Sequence, residues 1–144
     1  MNEQKEIMLS VIYLLEKVWG RTYLQKFFYL LNREVFKGHL FSYDLYKYGP
    51  FSEQINTQLT ELEIEGLVEE KALLTKGLHT AYTYKLTKKG QKYASNIFIK
   101  LPNKTRDELV NYTNKFKQYS PTELLRFVYE KYPEVTKNSI YNKE

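Results

Sequence analysis

Between Gly66 and Thr87 the hydrophobic period of the chain changes from the helical 3.6 to 2. Tyr82, Tyr84 and Leu86 alternate with Ala81, Thr83 and Lys85, preceded by Leu67 to Leu74 and a turn around Thr75-Lys76-Gly77. Two such segments joined by a short glycine-containing turn predict an antiparallel hairpin over 67–86. Helical patterns press on both ends: Ile55, Leu59 and Leu62 before it, and Tyr93, Ala94, Ile97 and Phe98 after it. A two-stranded hairpin is at best marginally stable in water by itself. Helices must therefore cover it, and the fold class that follows is mainly α with a small antiparallel β-hairpin, an α+β arrangement.

The remaining elements follow from the same periodicities. Ile7, Val11, Leu14, Leu15 and Val18 predict a first helix from about Glu3 to Val18, stopped near Trp19-Gly20. A second helix starts near Thr22, buries Leu24, Phe27, Phe28, Leu31 and Val35, and leaves Arg21, Lys26 and Arg33 toward solvent. Phe41, Tyr43 and Leu45 alternate against Ser42, Asp44 and Tyr46, which predicts an insertion strand over 41–48 that ends before Pro50. Ser52 is then the expected N-cap of the third helix, and Thr87 that of the fourth. Ser120-Pro121-Thr122-Glu123 carries the capping-box pattern of a last helix reaching about Tyr132.

With 144 residues the chain is long enough for one domain with a core. Hydrophobic content of 42% and charged content of 27% are near the globular average. Zero cysteines exclude disulfides and thiolate metal sites and fit a reducing compartment, so a cytoplasmic, soluble protein without secretion signal or membrane span is expected. The formal net charge of +5 is segregated: residues 51–70 carry six acidic and no basic side chains, whereas 71–104 carry eight basic and no acidic ones.

Three helices, a strand between the second and third, a hairpin and a further helix make the order of a winged helix-turn-helix core. Extra C-terminal helices follow. The expected organisation is a winged-helix domain over 1–101, with insertion strand 41–48 and wing 67–86, a helical extension over 102–132, and a tail over 133–144. A compact helix-turn-helix turn takes about three or four residues, whereas Lys37 to Phe51 spans fifteen.

Leu24-Gln25-Lys26-Phe27-Phe28-Tyr29-Leu30-Leu31, followed by Tyr46-Lys47-Tyr48-Gly49-Pro50-Phe51-Ser52, resembles the Panacea (SocA-like antitoxin) superfamily and related uncharacterised bacterial, archaeal and phage winged-helix proteins. Panacea proteins usually read Trp-Lys-Tyr-Gly-Pro-Val at that turn, so Tyr46 and Phe51 point to a neighbouring branch. The segment Leu124 to Glu134, with Asn138-Ser139 after it, is similar to the C-terminal part of those relatives. The resemblance implies a winged helix and brings no catalytic signature.

Basic wings suit phosphate, because each lysine that neutralises one releases condensed counterions. The residues expected to touch DNA are Arg21 and Lys26, the third-helix Gln54, Asn56 and Thr57, and Lys71, Lys76, His79, Lys85, Lys88, Lys89 and Lys92 around the wing. Glu61, Glu63 and Glu65 cut the other way, since carboxylates repel phosphates; they form the natural face for a basic protein partner. Asp44 with Glu69-Glu70-Lys71 superficially matches the Asp plus Glu-x-Lys set of metal-dependent nucleases. Fourteen tyrosines mostly fall on packed faces. The leading expectation is a non-enzymatic, cofactor-free, homodimeric DNA-binding regulator. A protein-interaction module, either antitoxin or adaptor, is the competing class, and a nuclease the remote one.

Overall fold

The computed structural model describes residues 1–46 and 49–136. Lys47 and Tyr48 lie outside the described residues, as does 137–144, which takes in Asn138, Ser139, Ile140 and Tyr141 of the expected tail. The chain is mainly α with small antiparallel sheets. In order it forms α1 (Glu3–Leu15), α2 (Arg21–Glu34), β1 (Asp44–Tyr46), β2 (Gly49–Phe51), α3 (Glu53–Ile64), β3 (Val68–Leu74), β4 (Thr80–Leu86), α4 (Lys88–Lys100), α5 (Asn103–Phe116), α6 (Pro121–Lys131) and a 3-10 turn, Pro133–Thr136. Among the described residues, no helix is long and apolar enough to cross a membrane.

β3 and β4 pair over seven residues each, from Val68 opposite Leu86 to Leu74 opposite Thr80. Helix α1 ends three residues earlier than its apolar spacing predicts, because Val18 leaves the helix and exchanges both backbone hydrogen bonds with Tyr84, at 2.9 Å each. The base of the hairpin is buried through Val68, Tyr84 and Leu86, which join the core of α1, α2 and α3.

Helix α2 departs most from its expected amphipathic form. Every residue from Tyr23 to Asn32 is buried, including Lys26, because α6 and the β1–β2 hairpin cover the face expected to meet solvent. Its polar residues hold the segment between α2 and α3 in place. Asn32 Oδ1 accepts from the N–H groups of Leu40 and Phe41, both at 2.8 Å. Gln25 donates to the carbonyl of Ser52 at 2.9 Å and accepts from its N–H at 2.8 Å. Such side chain-to-backbone bonds satisfy groups that would otherwise be buried unpaired.

The expected strand 41–48 is instead a short hairpin, with Asp44 opposite Phe51 and Tyr46 opposite Gly49. Pro50 does not terminate the sheet but sits within β2, at an edge where a missing N–H is tolerated. Gly49 has φ +94°, and a Cβ there would come within 3.1 Å of both Leu125 and Tyr129 of α6. Only glycine fits that approach. Ser52 stands at the N-cap of α3, yet its hydroxyl makes no capping bond. Gln25 instead takes both backbone groups of Ser52, and the buried Ser52 hydroxyl has no hydrogen-bond partner among the described residues. Thr87 and Ser120 cap α4 and α6 as expected, the latter in a full capping box.

A polar cluster ties α5 and α6 to the end of α2. Glu34 accepts from the hydroxyl of Tyr112 at 2.6 Å and from that of Tyr132, and pairs with Lys131 at 2.6 Å. Burial alone would raise its carboxyl, but Lys131 and the two hydroxyls outweigh burial and hold it below the ordinary range. A carboxylate with a depressed pKa contributes stability above its unfolded value, and that contribution is lost as pH falls through the folded value. Glu34→Gln is therefore expected to lose about 1–2 kcal/mol at pH 7 and to converge on wild type as pH falls through the depressed carboxyl value, as checked by urea melts at pH 7 and along the acid limb.

Candidate functional site

At the junction of α2, α3 and the β3–β4 hairpin, Arg21 opens α2 and points across α3. Its Nε donates to the Tyr84 hydroxyl at 3.0 Å, and Nη1 donates to both the carbonyl and the Oδ1 of Asn56, at 2.9 and 2.6 Å. Nη2 reaches Thr60 Oγ1 at 3.1 Å and Glu63 at 3.0 Å. The Tyr84 hydroxyl donates in turn to Glu70. Burial, with the Glu70 hydrogen bond, pushes the Tyr84 phenol up to about 12. Burial and neighbouring Glu70 raise Glu63 as well, against the pull of Arg21. Arg21 and Asn56, expected on DNA, thus spend their hydrogen-bonding groups on each other and on the fold.

Lys26 is a further correction. It is 3% exposed, buried among α2, β2 and α6, and its Nζ donates to the Pro50 carbonyl at 3.0 Å. Burial lowers its ammonium to about 8. Phosphates of a duplex outside the protein do not reach it.

The other expected DNA contacts are exposed and lie on the β3–β4 hairpin, on α4 and on α3. Lys71, Lys76 and His79 lie along the β3–β4 hairpin with Lys85, which pairs with Glu69 at 3.4 Å. Lys88, Lys89 and Lys92 lie on the first turns of α4, where Lys89 donates to the Glu65 carbonyl at 3.3 Å. Gln54 accepts from the Ser42 N–H at 2.8 Å, and Thr57 is exposed. The acidic face is partly neutralised from within. Lys5 lies 2.9 Å from Glu65 and 3.6 Å from Glu61, while Glu63 is held by Arg21.

Asp44 and the Glu69-Glu70-Lys71 run belong to different sheets. Glu69 pairs with Lys85, and Glu70 accepts from Tyr84. No group of three or more His, Asp or Glu side chains that could hold a metal ion occurs among the described residues.

A surface groove of about 580 Å³ was not legible in the sequence. It lies between Trp19-Gly20, Ala81-Tyr82 of β4 and the turn from Lys117 to Pro121. Trp19, the only tryptophan, is 48% exposed and Tyr82 44%. The Lys17 ammonium stands 4.5 Å from the Trp19 ring centroid. A second groove of about 690 Å³ continues past Thr22 and Pro121 over Leu125 and Tyr129 of α6. Trp19 reads in the sequence as part of a helix stop, and three segments far apart along the chain supply the walls.

No family model matches the chain. It is similar to the uncharacterized protein YwgA of Bacillus subtilis (strain 168), with 31% identity over 87 residues that cover 60% of this chain and 51% of that protein. The chain thus spans about half the length of the curated relative it matches, and the likeness carries no activity or ligand with it.

Proposed function

We propose that the chain is a winged-helix module that works by binding another protein, in the antitoxin or adaptor class suggested by its resemblance to Panacea proteins. The winged-helix reading rests on the order helix, single-residue strand at Val18, two helices and hairpin. One observation carries the protein-binding reading: Trp19 and Tyr82 stand half-exposed on an apolar groove, while Arg21, Lys26 and Asn56 of the expected DNA contacts are consumed inside the fold. Tryptophan and tyrosine in pockets are the side chains that anchor protein interfaces. The reducing compartment that the absence of cysteine fits is the cytoplasm.

The test is a pull-down from the native cell with tagged wild type, Trp19→Ala and Tyr82→Ala, each variant checked for fold by circular dichroism. A stoichiometric partner whose affinity falls at least about tenfold in both variants is expected, since an anchor lost from an interface costs about 2 kcal/mol or more. A partner held equally by wild type and both variants would overturn the reading.

The exposed lysines favour a second reading, a homodimeric DNA-binding regulator that contacts phosphates through Lys71, Lys76, Lys88, Lys89 and Lys92. Binding to mixed duplex DNA should then weaken with salt at about 0.9 log units per phosphate contact. Reversal of Lys76, Lys88 and Lys89 should flatten that slope, and no binding at low salt dismisses the reading.

A further inference from the structure

The groove borders a strand edge whose hydrogen-bonding groups are open. Val18 and Tyr84 exchange both backbone bonds at 2.9 Å, so Tyr84 turns its N–H and C=O away from β3. Backbone groups alternate sides along an antiparallel strand with a period of two. Tyr82 and Thr80 therefore turn theirs to the same outer edge. Among the described residues neither has a backbone partner outside the hairpin. Val18 thus begins a third strand that Gly20 abandons: Gly20 takes φ +94° to start α2, and a Cβ there would lie 3.8 Å from the Tyr82 carbonyl oxygen.

The groove of about 580 Å³ occupies the place where that third strand would have continued, lined by Gly20, Ala81 and Tyr82, with Trp19 and Tyr119 at its sides. Lys17 sits over the Trp19 ring, and Lys117 lies on the far wall. The carboxylate nearest Lys117 is that of Glu16, at 3.6 Å. Lys117 is thereby paired, whereas Lys17 has no carboxylate within 4 Å among the described residues; on a chain of net charge +5 that unpaired cation favours an acidic occupant.

We propose that this groove receives an extended acidic segment of a protein partner, which completes the sheet as a third strand antiparallel to β4 across Tyr82 and Thr80. Backbone bonds to the open edge supply the attachment. Alternate apolar side chains of the segment enter the slot between Trp19 and Tyr119, and the acidic ones face Lys17 and Lys117. The inference rests on the protein-binding reading and deepens it.

The probe is a capped synthetic peptide, Glu-Val-Glu-Tyr-Glu-Val-Glu, titrated into the full chain. Trp19 fluorescence reports occupancy, and NMR hydrogen exchange reports the Thr80 and Tyr82 amides. A saturable fluorescence change is expected, with exchange at both amides slowed at least tenfold. The same peptide N-methylated at alternate backbone nitrogens, and a version with lysine in place of each glutamate, should each bind at least tenfold more weakly. Tyr82→Pro removes an outward N–H and leaves the β3 ladder its donors; it should lose binding while Tyr82→Phe retains it. Should Tyr82→Pro fail to fold, the N-methylated peptide decides on the wild-type chain.

Fluorescence change without amide protection, or equal affinity for the N-methylated peptide, overturns strand addition and leaves the protein-binding reading standing. Equal affinity for the lysine peptide overturns the acidic assignment. No saturable response to either peptide at millimolar concentration overturns the proposal, whereas the pull-down judges the broader reading independently.

Discussion

Lys26→Met is expected to be more stable than wild type at pH 7, with a gain that shrinks as pH rises. The Lys26 ammonium is buried, with a hydrogen bond to the Pro50 carbonyl, and burial takes its pKa from the ordinary 10.5 to about 8. Below pH 8 both folded and unfolded chains carry the proton, and the folded chain bears the whole cost of keeping the charge buried. Between about 8 and 10.5 the unfolded chain binds more protons than the folded one, so wild-type stability rises with pH in that window. The displacement corresponds to roughly 3 kcal/mol, from which the hydrogen bond to Pro50 takes back about 1–2 kcal/mol. Lys26→Met should therefore gain about 1–2 kcal/mol at pH 7 and, because wild type gains roughly 3 kcal/mol across that window, fall about 1–2 kcal/mol below it by pH 10.5. Tyrosines that ionise near pH 10 are common to both chains, so the difference between urea melts at pH 7, 8, 9 and 10 isolates Lys26. A difference that does not change with pH would refute the assignment.

The second large effect is Gly90→Ala, which should cost about 3–5 kcal/mol even though alanine is ordinarily the better helix residue by about 1 kcal/mol. A Cβ at Gly90 would lie 1.9 Å from the Leu67 carbonyl oxygen and 2.9 Å from its carbon. Both neighbours are backbone, so no rotamer change relieves the clash. The Leu67 carbonyl also accepts from the Thr87 N–H at 3.1 Å, and the Thr87 hydroxyl donates to the Gly66 carbonyl at 2.7 Å. Together these bonds fasten the start of α4 to the base of the β3–β4 hairpin. Accommodating one methyl group means prising that junction apart, and a melting temperature lower by roughly 10 °C is the expected reading. Gly77→Ala is the control: a Cβ there would meet only the His79 ring, at 3.1 Å, and exposed side chains can move aside. Equal behaviour of the two variants would contradict the close approach at Leu67.

Local rules explain which parts of the fold the sequence disclosed. The β3–β4 hairpin has a period of two over seven residues, and the caps at Thr87 and Ser120 require only neighbours within the same turn. Val18 contributes a single bridge and has no period to detect. Lys26 sits on α2 at a position its helical spacing assigns to solvent, and its burial depends on α6, a hundred residues later in the chain. The fate of Arg21 was equally hidden, because its partners Asn56, Glu63 and Tyr84 come from α3 and β4. Exposed lysines are disclosed by charge alone, which is why Lys71, Lys76, Lys88 and Lys92 stand on the surface as expected.

The bonds from α2 to the segment that follows it bear on how this molecule tolerates change in length. Asn32 fixes residues 40 and 41, Lys26 fixes Pro50 and Gln25 fixes Ser52. The angle at which α3 leaves α2 is thus dictated by three side chains of α2 itself rather than by the number of residues between the helices. Lengthening the chain between Val35 and His39 should leave α3 where it is, since loop-closure cost grows only slowly with length. A helix pair wired in this way can diverge freely in the span it skips over, while its anchors at positions 25, 26 and 32 stay under joint constraint.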